Sequence, residues 1–193
     1  MNILPLFPTP VAKVFNFITP KEQLKILERV KKISHISHGA FSGNSSSTHG
    51  GGKGSTTPSN FLSREIRSRL HDAANEFTED YGSKHVEIQN VWSNIQHAGS
   101  RLKEHTHPDS IISGVLYLNV DETCKLYFHN PNPYMFWVDK RKATFYNYGY
   151  HWIPVENCQL VLFPAWLKHG KNDDDNVMDD RISVGMNFGR IPK

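Results

Sequence analysis

The residues best equipped for chemistry crowd into one hexapeptide, Glu104-His105-Thr106-His107-Pro108-Asp109. It follows Gly99 and precedes the apolar run Ile111–Val120. A further histidine, His169, stands 62 residues beyond His107, just past Leu160–Phe163 and Pro164. A His-x-Asp pair at a strand mouth, joined by one distant histidine, can present two imidazoles and a carboxylate to one face of a metal ion. Three coordination positions then stay open, as in facial-triad Fe(II) sites. In an extended segment residues i and i+2 point to the same side, so His107 and Asp109 can converge.

Twelve residues after His169, Arg181-Ile182-Ser183 opens a strong strand, RISVGMNF. Arg181 and Ser183 share one face of it, and Ile182 and Val184 the other. A guanidinium fork beside a hydroxyl suits a carboxylate held bidentately inside a barrel. A buried arginine needs an anion, and an acidic cosubstrate would serve.

These groups need a scaffold, and the second half of the chain supplies it. After Gly82 come alternating β-branched and aromatic segments: HVEIQNVWSNIQ, IISGVLYLNV, CKLYFHNP, ATFYNYGYHWIPV, CQLVLFPAW and ISVGMNF. Short strands at this spacing, separated by Gly, Pro, Asn and Asp, predict an antiparallel sandwich or barrel. The first half differs. Residues 3–17 mix β-formers with prolines and read as an irregular edge strand or two. Thr19-Pro20-Lys21-Glu22 is a helix start, with a hydroxyl cap, proline at the first helical position and an acid three residues on. Ile26, Leu27, Val30 and Ile33 follow on one face and predict a helix over 20–33. A second helix is expected over 59–81, from the stripe Leu62, Ile66, Leu70, Ala73, Phe77 and Tyr81. Between them, 14 of the 20 residues 39–58 are Gly, Ser or Thr, which reads as a mobile loop. The expected organisation is one domain over 1–193, with strands and two helices in 1–82 and a β core in 83–193.

The 193 residues are 38% apolar, 11% aromatic and 21% charged, too apolar for a disordered chain. No apolar run approaches the roughly 20 residues of a membrane helix, so no membrane partner is expected. The N-terminus lacks a basic region and is broken by Pro5, Pro8 and Pro10, unlike a signal peptide. Cys124 and Cys158 are therefore read as buried thiols in a cytoplasmic protein. A net charge of +3 does not by itself argue for nucleic acid.

Taken together, the chain resembles the Fe(II)/2-oxoglutarate-dependent oxygenase superfamily, in particular an oxygenase family common in phages and marine bacteria. The carrying residues are Trp92-Ser93-Asn94, His105-Thr106-His107-Pro108, Ser113 to Leu118, Leu162 to His169, and Arg181-Ile182-Ser183 running to Asn187-Phe188. The resemblance covers residues 85–190 well and the N-terminal part loosely. It implies a mainly β fold with flanking helices, a double-stranded β-helix (a cupin-like jelly roll). It further implies Fe(II) and 2-oxoglutarate, O2 as co-reactant, and hydroxylation of a substrate that the residues do not name: protein, nucleic acid or small molecule. The ligands would be His107, Asp109 and His169. The far carboxylate of 2-oxoglutarate would meet Arg181 and Ser183, with Tyr117 adding a hydroxyl and Asn94 and Asn187 as further contacts. A phage-encoded member would work in the host cytoplasm, and a homodimer is compatible with it. Gly99 stands six residues before His105, a spacing at which related enzymes place the first ligand. The proximal pair is therefore either His107 with Asp109 or His105 with His107.

Each assignment has a plainer alternative. Asp109 could cap the turn before Ile111, and Arg181 could pair with Asp173-Asp174-Asp175 or Asp179-Asp180. His35, His38, His49, His71, His85 and His97 read as surface or hydrogen-bonded residues, and His129 and His151 as packing residues. Pro131–Trp152 sets aromatics around Lys140-Arg141-Lys142, a pattern that binds single strands or simply forms a charged hairpin. A cupin would use Gly99, His105, His107 and His169, but Ile111 and Ile112 stand where its glutamate belongs. A non-catalytic β-sandwich would hold no metal.

Overall fold

The computed structural model describes residues 1, 4, 6–49, 60–132, 142, 144 and 146–190. Helix α1 spans Pro20–Val30, three residues shorter than the apolar spacing predicts. Thr19 caps it in a complete capping box with Glu22, a device that contributes about 1 kcal/mol. Helix α2, Arg64–Tyr81, is capped by the Ser63 hydroxyl and stopped by Gly82 in the left-handed region. Both helices turn their apolar stripes, including Ile26, Val30, Ile66 and Leu70, onto one face of a sheet.

That sheet has six strands, all paired antiparallel. They are β1 (Ala12–Val14), β3 (Ser45–Ser47), β4 (Glu87–Gln96), β6 (Ile112–Asn119), β9 (Leu160–Pro164) and β10 (Arg181–Gly189), in the spatial order β1-β9-β6-β10-β4-β3. Side-chain alternation splits it cleanly. Ile182, Val184, Met186 and Phe188 of β10 join the helix-side core, with Val91 of β4 and Leu116 of β6. Their neighbours Arg181, Ser183 and Gly185, with Trp92, Asn94 and Tyr117, face the opposite side.

A second, interrupted layer covers that opposite face. It consists of β2 (Phe41–Ser42) paired with β5 (Arg101–Leu102), and β7 (Lys125–His129) paired with β8 (Tyr150–Pro154). Single-residue bridges span the gap between the two pairs: His105 with His169, and His169 with Phe128. Tyr117, Val161, Phe163, Leu126 and Phe128 pack between the layers in a smaller core. This mainly β architecture is the double-stranded β-helix.

The structure departs from the sequence reading in 39–58, where β2 and β3 are short strands. Serine has little intrinsic strand preference, and here the edge of β4 supplies the hydrogen bonds that order Ser45–Ser47. Residues 50–59 of that stretch lie outside the described residues, as does most of the Lys140-Arg141-Lys142 hairpin. Cys124 and Cys158 are buried and free. Among the described residues no helix is long and apolar enough to cross a membrane.

Candidate metal and anion site

The gap in the second layer is where the histidines meet. Residues 103–105 run on from β5 and 168–170 leave β9, so the bridge between His105 and His169 brings two distant stretches side by side. His107, two residues further, is held by its own amide, which donates to the Ala165 carbonyl at 3.0 Å. One ligand atom from each of His105, His107 and His169 lies within 4.8 Å of the others, and the Nε2 atoms of His107 and His169 are 3.2 Å apart. Gly170 makes the approach possible. Its φ is +88°, and a Cβ there would lie 2.5 Å from the Lys103 carbonyl oxygen.

The ring orientations are set from behind. His105 Nδ1 donates to the Lys103 carbonyl at 2.7 Å, and His169 Nδ1 to the Leu167 carbonyl at 3.0 Å. A carbonyl can only accept, so in both neutral rings the proton sits on Nδ1 and the Nε2 lone pair is free. Burial keeps the three rings neutral. It pulls His107 down to about 3, with His105 and His49 adding to the effect, and holds His169 well below the ordinary range. Three neutral imidazoles with converging ring nitrogens form a candidate metal-binding face.

Asp109 stands outside this group. It occupies a turn with φ +69°, is exposed, and its carbonyl accepts from the Gln89 side-chain amide at 3.1 Å. The i, i+2 argument requires extended backbone, and the left-handed turn removes that condition. Of the two pairings left by the sequence, the structure brings together His105 and His107.

The three histidines line a cavity of about 270 Å³, and Arg181, Ser183, Tyr117 and Asn94 line the same cavity. Arg181 Nη2 donates to the Lys125 carbonyl at 3.1 Å, but its buried Nε has no partner among the described residues. The Asn94 Oδ1 is buried and likewise unpaired among the described residues. The acidic run is engaged elsewhere: Asp173 with Lys171, Asp174 with the Tyr127 hydroxyl, Asp175 with Arg101, and Asp180 with His97. Among the described residues no carboxylate pairs with the Arg181 guanidinium, which leaves it available to an anion in the cavity.

Two further histidines, among those whose sequence context suggests surface or hydrogen-bonded residues, also line the cavity. His38 and His49 pack edge to face with ring centroids 5.0 Å apart, and His49 meets Trp92 in the same way at 5.0 Å. Trp92 in turn lies 5.8 Å from His107. Its ring rests over Gly185, where a Cβ would be 2.5 Å from the indole. Lys125 also reaches the cavity.

Comparison with known proteins bears on the family and the fold. A family model described as "Putative 2OG-Fe(II) oxygenase" matches residues 90–187. No curated protein matches the chain by sequence. Among solved structures, the chain is similar to HygX from Streptomyces hygroscopicus with nickel and 2-oxoglutarate bound, with TM-score 0.61 and 8% identity over 94% of this chain and 83% of that one. It is similar to the viral collagen prolyl hydroxylase vCPH from Paramecium Bursaria Chlorella virus-1 in its 2OG complex, with TM-score 0.58 and 13% identity over 93% and 96%. A Pseudomonas putida prolyl-4-hydroxylase aligns with TM-score 0.57 and 12% identity over 95% and 94%. At such identities the likeness is one of fold.

Proposed function

This chain belongs to the 2OG-Fe(II) oxygenase family, and on that premise we propose that His105, His107 and His169 hold its iron and that Arg181 anchors its 2-oxoglutarate. The observation that carries this reading is the shared cavity: three converging imidazoles and a buried guanidinium nitrogen, unpaired among the described residues, within the same walls. When bound, Fe(II) and 2-oxoglutarate together supply the chemistry, in which O2 is consumed, succinate and CO2 are released and a second substrate is hydroxylated.

The chain's own residues bind, orient and shield. Neutral imidazoles leave the full charge of a divalent ion uncompensated, which favours a dianionic cosubstrate beside it. Arg181 and the Ser183 hydroxyl would take the carboxylate remote from the metal, fixing which end of the keto-diacid faces the histidines. The Tyr117 hydroxyl, 1% exposed and raised by burial to about 12, stays protonated and can donate to the same carboxylate. Asn94 would add a polar contact beside it. Trp92, His49 and His38 wall the cavity near His107, where a second substrate would approach. A three-histidine set also suits a cupin, but Arg181 and Ser183 would have no role in one.

The test is a turnover assay with Fe(II), O2 and 2-oxoglutarate. The expected result is succinate and CO2 in equal amounts, no turnover in His169→Ala, and a raised KM for 2-oxoglutarate in Arg181→Ala. Wild-type protein that binds iron yet releases no succinate, with or without candidate substrates, contradicts the reading.

A further inference from the structure

His105 and His169 each turn Nδ1 onto a backbone carbonyl, but among the described residues no carbonyl meets the His107 ring. Its Nδ1 faces the side-chain amide of Asn187 on β10 at 3.4 Å. The other end of that amide is taken by Ser113 on β6, whose hydroxyl lies 2.9 Å from the Asn187 oxygen. The pair sits directly across the ladder, Asn187 opposite Ser113, with exposures of 6% and 1%. Water is therefore a poor substitute for either partner.

The orientation of the amide decides what His107 can do. With Nδ2 toward the ring, His107 Nδ1 accepts, the proton moves to Nε2, and no lone pair faces the other two histidines. A half-turn of the amide brings Oδ1 to the ring. It then accepts from Nδ1–H, Nδ2 donates to the Ser113 oxygen, and Nε2 is free to ligate. Ser113 serves both orientations because a hydroxyl donates or accepts, whereas a backbone carbonyl could not.

We propose that Asn187, backed by Ser113, is a positioning residue that sets the His107 tautomer, and that the metal-binding form has Oδ1 turned to His107 Nδ1–H. The proposal rests on the three-histidine reading and adds a partner behind its third member. Such supporting partners are commonly worth 10- to 100-fold in metal affinity.

The test is anaerobic Co(II) titration of the full chain, with thermal unfolding as the control for fold. Asn187→Leu, which cannot accept, is expected to weaken Co(II) about 10- to 100-fold at an unchanged melting temperature. Asn187→Asp, which accepts but cannot donate, is expected to stay within a few-fold of wild type. Zn(II)-loaded wild type should show a slowly exchanging His107 Nδ1 proton by NMR. Asn187→Leu binding as tightly as wild type, Asn187→Asp weakened about 10-fold or more, or no such proton in the wild type would each overturn the assignment. Should Asn187→Leu fail to fold, the last two measurements still decide. Wild type that binds no Co(II) would instead overturn the metal site itself.

Discussion

His105 and His169 exchange both of their backbone hydrogen bonds, each at 3.0 Å, although 64 residues separate them. This reciprocal pair fixes the separation of two candidate ligands before any metal arrives, in a layer otherwise broken at that point. The ion pair between Glu104 and Lys168, 2.8 Å apart, ties the same two segments one residue earlier on each.

The pairing makes the ligand set directly testable. His105→Ala and His169→Ala are each expected to weaken Fe(II) by about 100-fold or more, beyond what loss of a supporting partner costs. Asp109→Asn is expected to leave stoichiometry and affinity at wild-type values. Anaerobic equilibrium dialysis against Fe(II) reads all three variants.

Arg181 carries the anion assignment. Arg181→Ala should weaken 2-oxoglutarate about 10- to 100-fold, the loss of charged hydrogen bonds worth about 1.5–3 kcal/mol, while leaving Fe(II) affinity unchanged. Arg181→Lys keeps the charge but loses the fork and should fall between. Calorimetric titration of 2-oxoglutarate into Co(II)-loaded protein separates the two effects.

The buried imidazoles predict an acid-sensitive metal-free protein. A histidine held neutral in the fold takes up its proton only on unfolding. For His107, whose folded value is about 3, stability is unaffected above about pH 6.5 and falls as pH drops from there toward 3. Each such group contributes up to about 1.4 kcal/mol per pH unit in that window. Urea unfolding at pH 7.5, 6.5 and 5.5 should show the decline, and His107→Gln should make it shallower, with His105 and His169 still contributing.

Gly185 and Trp92 form a pair in which one residue exists to admit the other. Gly185→Ala places a methyl group against the indole. It is expected to cost about 1–3 kcal/mol of stability, as overpacking does, and to change the near-ultraviolet circular dichroism of Trp92.

Much of this site could be read before folding was considered. The alternation in RISVGMNF separates Arg181 and Ser183 from Ile182 and Val184, and β10 keeps that separation exposed to the cavity on one side and the helices on the other. The capping signals around Thr19 are local and were equally legible. Asp109 was not, because its left-handed φ belongs to a turn that Gln89, 20 residues away, contacts, which the His-x-Asp spacing does not show. His38 and His49 were hidden for a different reason. They flank strands whose own composition argues against order, and only the ladder from β3 to β4 carries His49 to Trp92. The Asn187 amide could be named as a contact, but its partner His107 lies 80 residues away in another layer.

The most direct measurement is an anoxic titration of Fe(II) and then 2-oxoglutarate into the wild-type chain, followed by visible absorption. One ferrous ion should bind per chain, and the cosubstrate should then raise a charge-transfer band that is absent in His105→Ala and needs far more 2-oxoglutarate in Arg181→Ala. A wild type that takes up no iron, or a band that survives loss of His105 and vanishes with Asp109→Asn, would contradict the account.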